Sequence, residues 1–266
     1  MKSASDKLHR ADTRPFLIFL LCIFLPLFAA STAFAGVVGD DGSILDTDDP
    51  DEVATVLEII VVLTILSVAP AILVLTTSFT RIVVVLSFLR RALSTQQLPP
   101  NQIIIGLSLL LTLVVMGPTW ERMYEDGFRP FMDREISIRE ALHRAQGPMR
   151  NFMFNQTRIT DIELMMTLSR KPIPEDASRK DVPTHLLVGS FVLSELTRAF
   201  TMGFILYLPF LVIDLVISTT LISMGMLVLP PILISLPFKI LLFVLVDGWS
   251  LVVKSLVSSF YVHGPP

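Results

Sequence analysis

SMGMLVLPPILISLPFK, residues 223–239, is an apolar run carrying one glycine, three prolines and a terminal lysine. A straight membrane helix does not take that much punctuation. Pro230 and Pro231 remove two backbone donors and Pro237 a third, while Gly225 loosens the turn before them. The freed carbonyls are tolerable only where the backbone is buried in protein or lines a wet cavity. Residues 223–237 are therefore expected to form a re-entrant or broken element at a lumen. Met224 and Met226 flank Gly225, and unbranched thioethers can reshape a constriction. Taken alone, two methionines in an apolar run read as ordinary core packing.

The rest of the chain agrees with that setting. It has 266 residues, of which 52% are hydrophobic and only 17% charged. Soluble domains carry about 25% charge, so the composition reads as membrane-associated. A net charge of -3 gives no footprint for nucleic acid.

The N-terminus reads as a removable address. Lys2, Lys7, Arg10 and Arg14 precede the apolar FLIFLLCIFLPLFAA, and STAFAG then offers Ala33 and Ala35 in an A-x-A arrangement. Residues 1–35 are expected to be a signal peptide cleaved between Ala35 and Gly36. The alternative is an uncleaved anchor, for which the apolar stretch is short. Cys22, the one cysteine, lies in this segment, so the mature chain is expected to hold no thiol for a disulfide, a metal site or a nucleophile. Export implies a location at the cell envelope.

Residues 36–52, GVVGDDGSILDTDDPDE, read as an acidic flexible tail. Residues 53–117 read as a first helical hairpin. Its apolar blocks are Val53 to Thr77, with Glu58 and Pro70, and 103–117, ending before Pro118. The second block would rise about 22 Å, short of a hydrocarbon core of about 30 Å. Arg81, Arg90 and Arg91 lie between the blocks, with no acidic residue from Thr77 to Asn101, which predicts a cytoplasmic side there. Residues 118–184 change character, with eleven Lys/Arg and eleven Asp/Glu, and are expected to form a small helical periplasmic domain. Within it REISIREALHRAQGP puts Ile136, Ile138, Leu142 and Ala145 on one side of a short helix that stops at Gly147-Pro148. Residues 185–266 read as C-terminal hairpins with a pore-facing loop. Asp214 divides their first apolar block from the next.

Five ionisable residues sit in apolar surroundings: Glu195, Arg198, Asp214, Lys239 and Asp247. A charge at mid-bilayer costs at least about 2.5–3.5 kcal/mol. Glu195 and Arg198 are three apart and can pair on one helix face. Asp214 and Lys239 have no partner close in sequence. The number of such sites favours Glu195, Arg198, Asp214 and Lys239 as charges between subunits that fix register.

SFTRIVVVLSFLR, LPPNQIIIGLSLLLTLVVM, FVLSELTRAF, PFLVIDLVIST and GMLVLPPILISLPFKILLFVLVDGW together resemble the FliP family, flagellar relatives of the SctR subunits of injectisomes. The resemblance covers 53–255. It implies an all-α, membrane-associated fold of helical hairpins with broken helices. It also implies assembly of about five copies with FliR and FliQ into a helical cone. FlhB, FlhA and the basal-body ring are further implied partners, and unfolded exported proteins are the implied cargo. By the same resemblance, Glu195, Asp214 and Lys239 match charged positions between subunits. Residues Met224, Gly225, Met226, Leu227, Val228 and Leu229 occupy the place of a channel seal. Relatives often carry further methionines where this chain has Leu227 and Val228.

The expected function is a core subunit of the flagellar type III protein export gate at the inner membrane. The alternative is a small-solute transporter or ion channel subunit, which predicts an inverted internal repeat. The chain has no visible repeat. An intramembrane enzyme is not favoured, since Ser190, Ser194 and His185 match neither G-x-S-x-G nor H-E-x-x-H. His143 and His185 lack partners at ligand spacing, so no metal or other cofactor is expected. The Asn155-Gln-Thr157 sequon is taken as chance.

Overall fold

A computed structural model of the chain describes residues 50–95, 99–169, 181–226 and 230–261, with backbone alone at 50–53, 55 and 56. The expected cleavage point at Ala35 and Gly36, the stretch 36–49 and the loop residues Leu227, Val228 and Leu229 lie outside the described residues. All regular structure among the described residues is helical. The chain divides into two units, 1–74 and 75–266.

The first unit holds all but the last two residues of α1, Pro50–Thr76, which runs on through Pro70. Its Leu57–Thr76 stretch is long and apolar enough to cross a membrane. Thr64 and Ser67 return their hydroxyls to the Ile60 and Thr64 carbonyls at 2.7 and 2.9 Å. Glu58 is exposed near its start.

The second unit contains α2 (Phe79–Ala92), α3 (Asn101–Met123), a π-helical turn (Tyr124–Phe128), α4 (Arg129–Met132), α5 (Ile138–Gln156), α6 (Ile159–Leu168), α7 (Thr184–Ser223), α8 (Pro231–Leu245) and α9 (Gly248–Tyr261). Its centre is α2. Ile82, Val85, Leu86 and Leu89 recur at helical spacing and are buried against α7 and α3. Leu187, Phe191 and Ala199 of α7 complete that face. Helices α3 through α4, and α7, are also long and apolar enough to cross a membrane, and α8 with α9 qualifies as a bent pair.

Three boundaries differ from the sequence expectation. Helix α3 does not stop at Pro118 but continues to Met123, and α5 runs through Gly147-Pro148. Each proline removes one ladder bond, and packing within the unit keeps the helix whole. Residues of the 118–184 segment thus pack with α3 and α7 in one compact unit. Asp214 does not divide α7, which is continuous over 40 residues. The amphipathic face of α5 also shifts. Ala141 and Ala145 are buried while Ile138 and Leu142 are exposed. Ser137 caps α5 by accepting from the Glu140 N–H at 3.3 Å, an S-x-x-E start.

Candidate functional site

The break between α7 and α8 follows from local chemistry. The Met226 N–H donates to the Leu221 carbonyl and the Gly225 N–H to the Ile222 carbonyl, both at 3.0 Å. These are the two bonds of a Schellman cap. Gly225 has φ +74°, where an L-residue pays about 1–2 kcal/mol. Pro230 then precedes α8, and Pro231 takes its first position, where the missing N–H has no helical partner in any case. Pro237, expected at the break, instead sits inside α8, which absorbs the lost bond. At the tip Met224 is 67% and Met226 44% exposed, so both thioethers face outward. Large apolar side chains of both flanking helices are exposed as well, among them Phe204, Val212 and Leu215 of α7 and Leu233, Phe238 and Leu241 of α8. An apolar surface of that extent requires lipid or protein against it.

Below the break, two buried charge clusters fix the helices. Lys239 Nζ donates to Asp214 Oδ2 and to Ser94 Oγ, each at 2.6 Å. This joins α8 to α7 and to the end of α2. It also explains why Asp214 does not end α7, because an ammonium on the facing helix compensates it. The Lys239 side chain is 1% exposed and that of Asp214 33%. Farther along α7, Glu195 is fully buried and pairs with Arg81 of α2, whose Nε donates to Glu195 Oε2 at 2.8 Å. Arg198 reaches Gln156 Oε1 at 3.1 Å and keeps partial exposure. Asp247 is exposed at φ +49°, in the turn where α8 and α9 bend by 65°. Gly248 is needed beside it, since a Cβ there would lie 2.2 Å from the Phe243 ring.

Arg81 is the residue that sequence reading missed. Beside Arg90 and Arg91 it reads as a topology signal, yet it is wholly buried. The signal was its register, four and eight residues before the buried Val85 and Leu89.

A third cluster joins α6 to α7. Arg158 grips Asp161 with Nε and Nη2, both at 2.8 Å. The Arg158 N–H donates to Ser194 Oγ at 3.0 Å, and Ser194 donates to Asp161 at 2.5 Å. The hydrogen bond from Arg158 holds the Asp161 carboxyl below its usual range. The bond from Ser194 and the nearby positive charges add to this, against the opposing effect of burial. A depressed carboxyl stabilises the fold fully above its unfolded pKa of about 3.9, and that contribution is lost as pH falls through the lower folded value. Between about pH 5 and about pH 2 the thermal unfolding temperature of the parent should therefore fall more than that of Asp161→Asn. Parallel falls would remove Asp161 from the acid response. Ser190 is similarly committed, donating to the Leu186 carbonyl at 2.8 Å. Among the described residues no group of three or more His, Cys, Asp or Glu side chains is placed to hold a metal ion.

Comparison with known proteins bears on this arrangement directly. The model of the FliP family matches residues 62–256, which include every helix around the break. The chain belongs to the FliP family. It is 50% identical to the flagellar biosynthetic protein FliP of Bacillus subtilis over 82% of this chain and 98% of that protein. The FliP of Caulobacter vibrioides is 43% identical, over 96% of this chain and 93% of its own length. That of Treponema pallidum is 40% identical, over 94% and 98%. FliP-family membership accounts for the sequence motifs quoted above, and the geometry shows how those motifs fold. FVLSELTRAF carries the Arg81 partner Glu195, PFLVIDLVIST carries Asp214, and GMLVLPPILISLPFK carries the capped break and Lys239.

Proposed function

We propose that this FliP-family chain is a core subunit of the flagellar type III protein export gate. With FliQ and FliR it forms the channel through which unfolded flagellar proteins cross the inner membrane. The observation that carries this reading is the capped break between two helices that leave their apolar faces uncovered. A single chain gains nothing from exposing Met224 and Met226 at the tip of such a hairpin. Several copies, about five with one FliR, would bring those tips together on an axis and cover the flanks in a helical cone. FlhB, FlhA and the basal-body ring surround the gate. The signal peptide is cleaved after Ala35, and the 118–184 segment faces the periplasm, consistent with Arg90 and Arg91 at the opposite end of α2.

In this reading Asp214 and Arg198, which among Glu195, Arg198, Asp214 and Lys239 are the two that keep some exposure, meet neighbouring copies. Glu195 and Lys239 set their positions from within the chain. Lys239→Ala would leave Asp214 without its ammonium and loosen α8 from α7. The variant should insert at parental levels but yield much less of the high-mass complex. The mass and composition of the detergent-extracted assembly test both statements. A stable multimer containing FliQ- and FliR-like partners supports the gate. A lone monomer that moves a small solute would end it in favour of a transporter, and a Lys239→Ala complex at parental yield would remove the charge argument.

A further inference from the structure

The packed core of α2, α5 and α7 holds one positive charge too many. Arg81 and Arg198 bring two guanidinium groups and Glu195 one carboxylate. Gln156 spans the two cations through a single oxygen, 3.1 Å from Arg81 Nη2 and 3.1 Å from Arg198 Nη1. The neighbouring Arg158–Asp161 pair is self-compensating. Arg198 keeps contact with solvent, whereas Arg81 is fully buried, so Arg81 is the guanidinium that must find all its partners inside the protein. What meets it is the end of α9. Arg81 Nη1 donates to Ser259 Oγ at 3.0 Å and to the Ser259 carbonyl at 3.5 Å. The face of Phe260 lies 3.8 Å from the guanidinium carbon, and Gln156 Nε2 donates to the Phe260 carbonyl at 2.8 Å. The last carbonyls of a helix lack intrahelical donors and carry the negative end of its dipole. An aromatic face is negative too. Three negative features of one helix end thus converge on one buried cation.

We propose that α9 is an internal ligand of a buried cationic site, docking and detaching as a unit about the turn at Val246 and Asp247. The turn supports a hinge, with its 65° bend and left-handed Asp247. So does the buried stripe of α9, which comprises Val252, Leu256 and Phe260, while Leu251 on another face is exposed. Until α9 docks, Arg81 Nη1 and Gln156 Nε2 have no partner in the core, so its arrival completes the subunit. The inference concerns the single chain and does not rest on the export-gate reading.

Thiol labelling of the purified full-length chain in detergent, with Cys22→Ser as background, tests it. Val252→Cys reports on α9, and Val115→Cys in α3, also buried, reports on the rest of the core. Phe260→Leu should speed labelling at position 252 by about tenfold or more while position 115 stays protected. In an Arg81→Lys background, which keeps the charge but loses the fork, the same change should add less than about threefold. Equal increases in both backgrounds would show that Phe260 is held by packing alone and would overturn the proposal. Ser259→Ala leaves Arg81 and the aromatic ring in place and guards against an Arg81 variant that fails to fold. It should itself speed labelling at 252, and no change there would equally overturn the proposal.

Discussion

Glu195→Gln is expected to destabilise the folded chain by about 3–5 kcal/mol, the usual result of removing one partner from a buried ion pair. The substitution keeps the shape of the side chain and removes its charge. It leaves Arg81 buried with Gln156, Ser259 and Phe260 as its remaining partners, and none of these carries a negative charge. Against a typical total stability of about 5–15 kcal/mol, the loss is about a fifth or more, so the variant should accumulate poorly and unfold at much lower temperature in detergent. Glu140→Gln is the control. Its pair with Arg144 lies on the surface of α5, each side chain about half exposed, and such pairs contribute about 0.5 kcal/mol or less. Replacing both buried partners, as Arg81→Met with Glu195→Leu, should recover much of the loss, because an apolar pair of similar volume removes the desolvation cost altogether. Thermal unfolding of the four proteins checks the order. A Glu195→Gln protein as stable as Glu140→Gln would show that Arg81 finds its compensation elsewhere.

The helical class, the apolar stretches and the break after Met226 were legible because each is written in local chemistry. A glycine followed by paired prolines in an apolar run leaves few alternatives. The sequence misleads at Pro118, Gly147-Pro148, Asp214 and Pro237 for one shared reason. Proline and aspartate weaken a helix locally, but tertiary packing or a facing lysine restores what they remove, and neither appears in a window of ten residues. The Arg81–Glu195 pair spans 114 positions and the Lys239–Ser94 bond 145. Chain order gives no hint of either. Arg81 could have been suspected from its place on the stripe of Val85 and Leu89, whereas Gln156 and Ser259 carry no such signal.

In the export gate proposed above, replacing Met226 and Leu227 with glycine is expected to turn an ion-tight assembly into one that conducts. The Schellman bonds at Gly225 and Met226 are backbone bonds, and Pro230 with Pro231 still starts α8, so the break itself survives the change. What disappears is apolar bulk beside Met224, which projects outward from the end of α7. A constriction lined by apolar side chains stops ions by excluding water, without any charged gate. In the gate proposed above, removing two large side chains per copy should let water remain and ions follow. Conductance is measured in reconstituted vesicles or across the inner membrane of growing cells, and the yield of assembled complex is measured in parallel. The expected result is parental assembly with a leak about tenfold or more above background. An assembled variant as tight as its parent would mean that residues 224–229 do not form the closing collar and that another subunit holds the seal.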